Sequence, residues 1–471
     1  MKLEASIFKA YDIRGIVGKT ITEEVAYAIG QGLATMLHEK GLRNMVIGRD
    51  GRLSGLKLQN ALSAGLNSCG IDVIDIGMVT TPIAYFATQI PFIINGDKRE
   101  AKSCVAITGS HNPPEYNGFK IVIDGKAIFG EEIQSLYQLI AKENFKKDSG
   151  DKEKIGTIIH HDIQQQYFEY ILADIKLNRP LKVIVDAGNG IAGAFAPTLY
   201  QALGCEVKTL YCEVDGTFPN HHPDPAQPEN LLALQQALAR NEGEIGLAFD
   251  GDGDRLGVVT QDGQIIYPDR QLMLFAADVL TRYPKANIIY DVKCSRHLTS
   301  WIKSKGGQPL MHCTGHSLIK QKLRETGAPL GGEMSGHIFF KDRWFGFDDG
   351  IYAGARLLEI LSKVNNPSEV LNALPASLST PELQIDCHEH DNKMIIKHIL
   401  EQAHFPLANE IITIDGLRVE YGDGFGLVRA SNTVPVLILR FEAESEQALK
   451  RIQAEFTENL KAVLPFAVLP Y

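Results

Sequence analysis

The sequence predicts an α/β protein: three similar α/β domains with mixed, largely parallel sheets plus a smaller C-terminal α+β domain, around a central cleft. Three observations lead there. The chain has 471 residues, enough for three or four domains, and its 44% hydrophobic and 22% charged content lets each bury a core of its own. Short β-branched runs, each ending in glycine or a polar residue and followed by a helix-like stretch, recur in the same order three times before residue 340. Beyond about residue 375 the pattern changes to strand-like and hairpin-like runs with helical stretches between and after them.

The first recurring element is read in "NMVIGRDGRLSG", "LKVIVDAGNGIAG" and "ANIIYDVKCSRHL". The second is read in "CVAITGSHNP", "IGLAFDGDGDR" and "PLGGEMSGH", where glycines and reactive polar residues follow a small or apolar stretch. Strands alternating with helical patterns imply parallel sheets. In such sheets ligands bind beyond the carboxyl ends of the strands, where these polar loops fall. The tail segments "LQIDCHE", "IITIDGLRVEYGDGFGLVRAS" and "VPVLILRFEAES" form the separate α+β domain. Polar or Gly/Pro-rich boundaries near "SGDKEKIG", Gln261 to Gly263 and Asn365 to Pro375 divide the chain into 1–155, 156–262, 263–372 and 373–471.

A net charge of −10 with no basic block argues against nucleic acid as a partner, while leaving room for an anion in a local basic pocket. Seven scattered cysteines without a C-x-x-C pair argue against a disulfide framework or a zinc site and fit a reducing cytoplasm. The opening "MKLEASIFKAYDIRG" lacks the apolar core of a secretion signal, and no apolar run is long enough to span a membrane. A cytoplasmic monomer is expected.

In "VAITGSHNPPEYNGFKIV" a short buried strand, Val105 to Ile107, runs into Ser110 beside His111, in a loop stiffened by Pro113 and Pro114. Pairing Ser110 with His111 as nucleophile and base would suit a hydrolase. Neighbouring side chains of an extended backbone point to opposite sides, so the expectation is that Ser110 does not lean on His111.

"FDGDGDR" sets Asp250, Asp252 and Asp254 on alternate positions around two glycines, so three carboxylates can face one point. Three hard oxygen donors suit Mg²⁺ or Ca²⁺. An EF-hand is excluded, because Arg255 stands where that loop needs glycine and Gln261 where it needs glutamate. An acidic surface turn is disfavoured by like-charge repulsion directly after the apolar "IGLAF". In "VRASNTVPVLILRF", Arg429, Ser431, Asn432 and Thr433 form a candidate phosphate cradle, and an ordinary Ser/Asn turn would look the same. Glu333, Ser335 and His337 in "GGEMSGH" offer groups for sugar hydroxyls, and on spacing alone a polar turn fits them as well.

Together these segments resemble the α-D-phosphohexomutase family, in its bacterial phosphomannomutase/phosphoglucomutase branch. The resemblance runs through "FKAYDIRG", "TGSHNPPEYNGFK", "DGTFPNHHPDP", "DGDGDR", "YPDR", "DVKCSR", "TGHSLIK", "GEMSGH", "WFGFDDGIYA" and "RASNTVPVLILRFEA", in the family's order. It implies a reaction between hexose 1-phosphate and hexose 6-phosphate, of mannose and glucose. Ser110 would carry the phosphoryl group and pass through a hexose 1,6-bisphosphate that reorients in the site. Mg²⁺ would sit at Asp250, Asp252, Asp254 and the phosphate on Ser110, with Arg255 holding the phosphoserine. Arg14, Lys120 and His337 are implied as candidates for proton transfer. Tyr11, Lys293 and His316 would line the substrate, Glu333 and Ser335 would read the 3- and 4-hydroxyls, and Arg429, Ser431, Asn432 and Thr433 would grip the distal phosphate. Met334 and "RASNT" point to the mannose/glucose branch over phosphoglucosamine mutases. A metal-dependent sugar phosphatase and a silent sugar-phosphate binder are the other readings. The stretch Pro91 to Lys102 departs from the family pattern and is expected to be a surface excursion.

Overall fold

Each of the three β-branched runs becomes the central strand of a sheet. The computed structural model describes residues 3–94, 97–146, 155–388, 391–432 and 434–471. In the first domain Asn44–Arg49 lies between two parallel neighbours, Asp72–Met78 and Cys104–Ile107. In the second, Lys182–Asp186 lies between Glu206–Leu210 and Ile245–Phe249, again both parallel. In the third, Asn287–Asp291 lies between Gln308–His312 and Leu330–Gly332 in the same way. The crossovers are helical each time: Gly55–Ser68 and Thr81–Phe86, then Ala196–Ala202 and Leu232–Ala239, then Arg296–Ser304 and His316–Thr326. Cys104–Ile107 and Ile245–Phe249 are buried at every position, as parallel strands covered on both faces are. The repeat read in the sequence is therefore structural.

Antiparallel strands complete the first two sheets. Tyr116–Ile123 pairs with Cys104–Ile107 and carries Ile13–Ile16 on its other side. Leu256–Thr260 pairs with Ile245–Phe249. The first sheet takes its edge strand, Ile158–His160, from beyond residue 155, where the sequence reading had already opened the next domain. The C-terminal domain is antiparallel: Leu417–Tyr421, Gly424–Ala430 and Val436–Ala443 are successive neighbours. Helices Asp391–Gln402 and Glu446–Val463 contribute Ile399, Ile452 and Phe456 to its core with Leu437 and Phe441. Packing divides the chain into two compact units, Met1–Gln271 with Ser335–Asn372, and Leu272–Met334 with Ala373–Tyr471. Among the described residues no helix is long and apolar enough to cross a membrane.

The stretch Pro91 to Lys102 contains a small hairpin, Phe92–Ile94 against Asp97–Arg99. Its charged end, Lys98 to Glu100, is exposed as expected, but Phe92 is fully buried, edge-on to His161 with centroids 5.1 Å apart. Much of "SGDKEKIG" lies outside the described residues.

An aromatic cluster fixes the segment "WFGFDD". Trp344 stacks on Tyr352 (4.2 Å, 10°) and on Phe86 (5.6 Å, 8°). Asp349 caps the helix Gly350–Leu361, accepting from Tyr352 N at 2.9 Å, and also accepts from the Tyr167 hydroxyl at 3.0 Å. Burial pushes its carboxyl up to about 7 in spite of these hydrogen bonds. Two predictions follow from this packing. Trp344→Ala should destabilise the first unit by roughly 3–5 kcal/mol, read as a lowered midpoint in calorimetry. Between about pH 4 and 7 the folded Asp349 holds a proton that the unfolded chain has released, so its contribution is full below that range and fades as pH rises through it. Asp349→Asn keeps the cap and cannot titrate. The melting temperature of the unaltered protein should fall relative to this variant as pH is raised from 4.5 to 7.5.

Candidate functional site

The serine loop is shaped from beneath by a buried ion pair at the end of the central strand. Asp50 Oδ2 accepts from Thr108 Oγ1 at 2.7 Å and from Gly109 N at 3.3 Å, and Thr108 Oγ1 in turn accepts from Ser110 N at 2.7 Å. Arg52 pairs with Asp50 at 3.2 Å and donates to four carbonyls of the loop: Ser110 at 2.8 Å, Asn112 at 2.5 Å, Pro113 at 2.6 Å and Tyr116 at 2.9 Å. The side chain of Arg52 is fully buried, with its guanidinium over the Phe218 ring. Ser110 is thereby held at φ 50°, in the left-handed region.

That conformation overturns one expectation. Because Ser110 is not extended, its Oγ does approach the neighbouring ring, 3.2 Å from His111 Nδ1, as well as donating to Asp250 Oδ2 at 3.0 Å. Burial, with the nearby charges of Arg255, Arg14 and Lys120, holds His111 well below its usual pKa, as a neutral ring.

Asp250, Asp252 and Asp254 are all fully buried, and their oxygens lie within 4.8 Å of one another. Asp250 Oδ1 accepts from the backbone of Asp254 and Arg255, both at 3.1 Å, which curls the loop. Gly251 backs onto the Ser110 carbonyl, where a side chain would collide. Lys120 bridges the other two aspartates, 2.7 Å from Asp252 Oδ2 and 2.5 Å from Asp254 Oδ2. Thr81 Oγ1 also donates to Asp252 Oδ2 at 2.5 Å. Burial alone would lower the Lys120 ammonium, but the charges of Asp252 and Asp254 more than reverse this. Burial and its two acidic neighbours raise the Asp250 carboxyl well above the usual range. Asp252 Oδ1 is buried without a hydrogen-bond partner. A hard divalent cation fits this donor set: it would neutralise the carboxylate that lacks a counter-charge and occupy the orphaned oxygen.

Strand order places the other candidates of this unit. Arg14, on Ile13–Ile16, sits opposite Gly118, and Lys120, on the next strand, sits opposite Ala106. Arg14 pairs with Asp12 and donates to Asn112 Oδ1 at 3.0 Å. Arg255 Nε donates to His337 Nε2 at 3.2 Å. Tyr11 and Ser335 are half-buried in the same unit.

The remaining candidates gather in the second unit. Lys293 follows the central strand and is 2.5 Å from Glu382 Oε1. Burial would lower this ammonium, and Glu382 raises it above its usual value. Glu333 Oε1 accepts from Gly315 N at 2.6 Å, beside His316 at the start of its helix. Asp291 accepts from Thr314 Oγ1 at 2.9 Å and from Met334 N at 3.1 Å, tying the loops of Lys293, His316 and Glu333 together. Arg429 pairs with Asp415 at 2.9 Å. The backbone of Ser431 is held by Asn392 Nδ2 at 2.9 Å, with Asn432 half-buried beside it. Thr433 lies outside the described residues. Sequence reasoning missed the supporting groups Asp50, Arg52, Thr81, Asp291, Glu382 and Asp415. The one available signal was the charged pair in "GRDGRLSG", on a strand end that the repeat already marked.

Four models of the "Phosphoglucomutase/phosphomannomutase" family match: α/β/α domain I at residues 5–147, domain II at 165–263, domain III at 267–378 and the C-terminal domain at 359–459. The chain is 57% identical to a phosphoglucomutase of Neisseria gonorrhoeae over 96% of its length and 95% of the relative's. It is 53% identical to a phosphomannomutase/phosphoglucomutase of Pseudomonas aeruginosa over 100% and 98%. A crystal structure of a phosphoglucomutase/phosphomannomutase family protein from Burkholderia thailandensis superposes with a TM-score of 0.95 at 57% identity, covering all of both chains.

Removing one member of the buried Asp50–Arg52 pair should cost more than removing both charges. Arg52→Ala strands the Asp50 carboxylate and should destabilise by roughly 3–5 kcal/mol, whereas Asp50→Asn added to it should recover part of that loss. Denaturant titrations of the two single variants and the double variant measure this.

Proposed function

The chain belongs to the phosphoglucomutase/phosphomannomutase family of α-D-phosphohexomutases and is an intramolecular phosphotransferase; from that premise we propose that it interconverts the 1- and 6-phosphates of glucose and mannose, with Ser110 as the phosphoryl carrier. The relatives at 50–57% identity that are named for one or both of these sugars support this reading. A relative named probable phosphoglucosamine mutase, from Pyrococcus horikoshii, is only 32% identical. The observation that carries the assignment to Ser110 is its hydroxyl, buried and 3.0 Å from Asp250 Oδ2 at the edge of the carboxylate trio.

On this reading the P–O bond from phosphorylated Ser110 breaks as a bond forms to the free hydroxyl of a hexose monophosphate, the hydroxyl gives its proton to a group of the site, with Arg14 and His337 as the candidates, and Ser110 Oγ takes up a proton as it is released. The resulting 1,6-bisphosphate turns round, and its other phosphoryl group returns to Ser110. We assign the phosphoserine loop to residues 1–155, the metal loop to 156–262, the sugar loop with Glu333 and Ser335 to 263–372, and the distal-phosphate loop with Arg429, Ser431, Asn432 and Thr433 to 373–471. Lys293, His316 and Tyr11 complete the substrate lining. Asp250, Asp252 and Asp254, with a phosphate oxygen on Ser110, would hold Mg²⁺, which would supply charge stabilisation for the phosphoryl group. Arg14 and Arg255 add fixed positive charge. Lys120, kept protonated between two aspartates, serves as an acid or a charge and not as a resting base. His111, neutral and 3.2 Å from Oγ, is placed to take or return the Ser110 proton.

The purified protein should gain one phosphoryl group in its intact mass and lose it to hexose monophosphate, and Ser110→Ala should abolish turnover while retaining sugar-phosphate binding. Release of inorganic phosphate from glucose 1-phosphate without glucose 6-phosphate would defeat the mutase reading in favour of a phosphatase. Faster turnover of glucosamine 1-phosphate than of glucose or mannose 1-phosphate would move the enzyme to the other branch. Chelation should remove activity, and added Mg²⁺ should restore it.

A further inference from the structure

Two loops of the second unit that carry substrate-lining residues are fastened to the C-terminal sheet. At the loop of Lys293, Arg418 donates to the Cys294 carbonyl at 2.7 Å with its guanidinium over the Phe425 ring, and Ser295 Oγ donates to Glu442 Oε1 at 2.8 Å. The loop before His316 is held elsewhere, by the turn that joins Glu410–Ile412 to Leu417–Tyr421. There Cys313 Sγ donates to the Ile414 carbonyl at 2.9 Å, and Thr314 N donates to Asp415 Oδ2 at 2.9 Å. The same oxygen accepts from Arg429 Nε, also at 2.9 Å. The turn fits closely against the strand of Arg429: at Gly416, with φ 83°, a side chain would collide with Arg429 Cα and Cβ.

If gripping an anion were the only need of Arg429, a carboxylate beside it would be a handicap, because the charge of Asp415 opposes that of a phosphate. What Asp415 supplies is direction. A planar guanidinium matches phosphate oxygens only in a set orientation, and a hydrogen bond at Nε fixes its plane. The second hydrogen bond ties that plane to the third domain. Thr314 is pinned from two sides, its N–H by Asp415 and its hydroxyl by Asp291 Oδ2, at 2.9 Å each. The next amide, Gly315 N, donates to Glu333 Oε1 at 2.6 Å, and the helix His316–Thr326 starts at the following residue. One carboxylate oxygen therefore stands between Arg429 and the segment that sets His316 and Glu333. We propose that Asp415 is a positioning residue that couples the distal-phosphate grip to the sugar-facing loops: by holding Arg429 Nε and the Thr314 amide at once, it sets a phosphate gripped at Arg429 at a fixed distance from His316 and Glu333.

The kinetic consequence of this coupling rests on the mutase reading, and its effect on the Thr314 amide rests on geometry alone. In amide hydrogen exchange resolved to single residues, Thr314 should be protected in the unaltered protein and exchange roughly tenfold faster or more in Asp415→Ala. It should stay protected in Asp415→Asn, because both donors use one oxygen and the carboxamide keeps one. In turnover of glucose 1-phosphate, Asp415→Ala should raise KM roughly 10–100-fold with kcat within about threefold, as expected for a lost hydrogen bond to a charged binding group. Asp415→Asn should return KM to within about fivefold of the unaltered enzyme. Arg429→Lys keeps a charge but has no plane to fix, so adding Asp415→Ala to it should raise KM by less than about threefold further. A merely structural Asp415 would lower the melting temperature and leave KM unmoved, which would overturn the proposal. So would equal damage from the Ala and Asn replacements in folded protein, full additivity with Arg429→Lys, or a Thr314 amide that exchanges at one rate with and without the carboxylate. If Asp415→Ala does not fold, Asp415→Glu, which keeps the charge and moves the carboxylate out by one methylene, takes its place with the same expected rise in KM and in exchange. If the unaltered protein forms no glucose 6-phosphate, the mutase reading fails by itself, and the Thr314 exchange still decides whether Asp415 makes the bridge.

Discussion

Three carboxylates buried with their oxygens within 4.8 Å of one another are the constraint that the first unit is organised around. Charges packed so closely in a medium of low dielectric repel strongly unless they are neutralised. Lys120 neutralises two of them directly, and the backbone amides of Asp254 and Arg255 partly neutralise the third. The balance is incomplete, because one oxygen of Asp252 is orphaned and Asp250 is driven toward its protonated form. A divalent cation resolves both deficits at once. Arg255 and Arg14 stand close enough to this cluster to add to the burial that lowers the His111 pKa.

The backbone meets this demand by repetition. Every domain of the repeat sends a central strand into one crossover and a neighbouring parallel strand into a second, so the polar loop always leaves the carboxyl end of the third strand, which is the central strand's other neighbour. The serine loop and the metal loop are the same place in two copies of one plan. Their approach is close because glycine at 251 leaves room for the Ser110 carbonyl. The metal loop is also anchored from outside: Gly251 N donates to the Pro223 carbonyl at 3.1 Å on one side, and Gly350 N to the Gly253 carbonyl on the other. The segments "HHPDP" and "FDDGIY" thus act on the site through backbone contact, which no spacing of side chains along the chain would reveal.

What could be read from the amino-acid order follows a physical division. Strands such as Cys104–Ile107, buried on both faces, announce themselves as unbroken apolar runs, and Asp250, Asp252 and Asp254 announce themselves by spacing around glycine. Both signals are local. Asp50 and Arg52 act on residues 58 or more positions away, so their side chains carry no local sign of purpose. The misjudgement at Ser110 has the same origin. The rule that neighbours diverge holds for extended backbone, and the left-handed turn that cancels it is imposed by Arg52, a residue distant in sequence. The hairpin at Phe92 is similar: the exposure of Lys98 to Glu100 is written in the composition, while the burial of Phe92 depends on His161, distant in sequence.

Magnitudes explain why that turn persists. Holding a non-glycine residue such as Ser110 in the left-handed region costs about 1–3 kcal/mol. Arg52 sets against this four hydrogen bonds from a charged donor, each contributing about 1.5–3 kcal/mol when well formed. Even after the desolvation of the guanidinium, which Asp50 relieves, the interactions exceed the strain. The excess is what fixes the direction of the serine hydroxyl. A loop with weaker support would relax Ser110 toward the extended form and turn Oγ away from Asp250. The direction of the Ser110 hydroxyl, proposed above as the phosphoryl carrier, is therefore set by a pair of charges just beyond the end of the neighbouring strand of the same sheet, and its approach to the carboxylate trio depends on that pair.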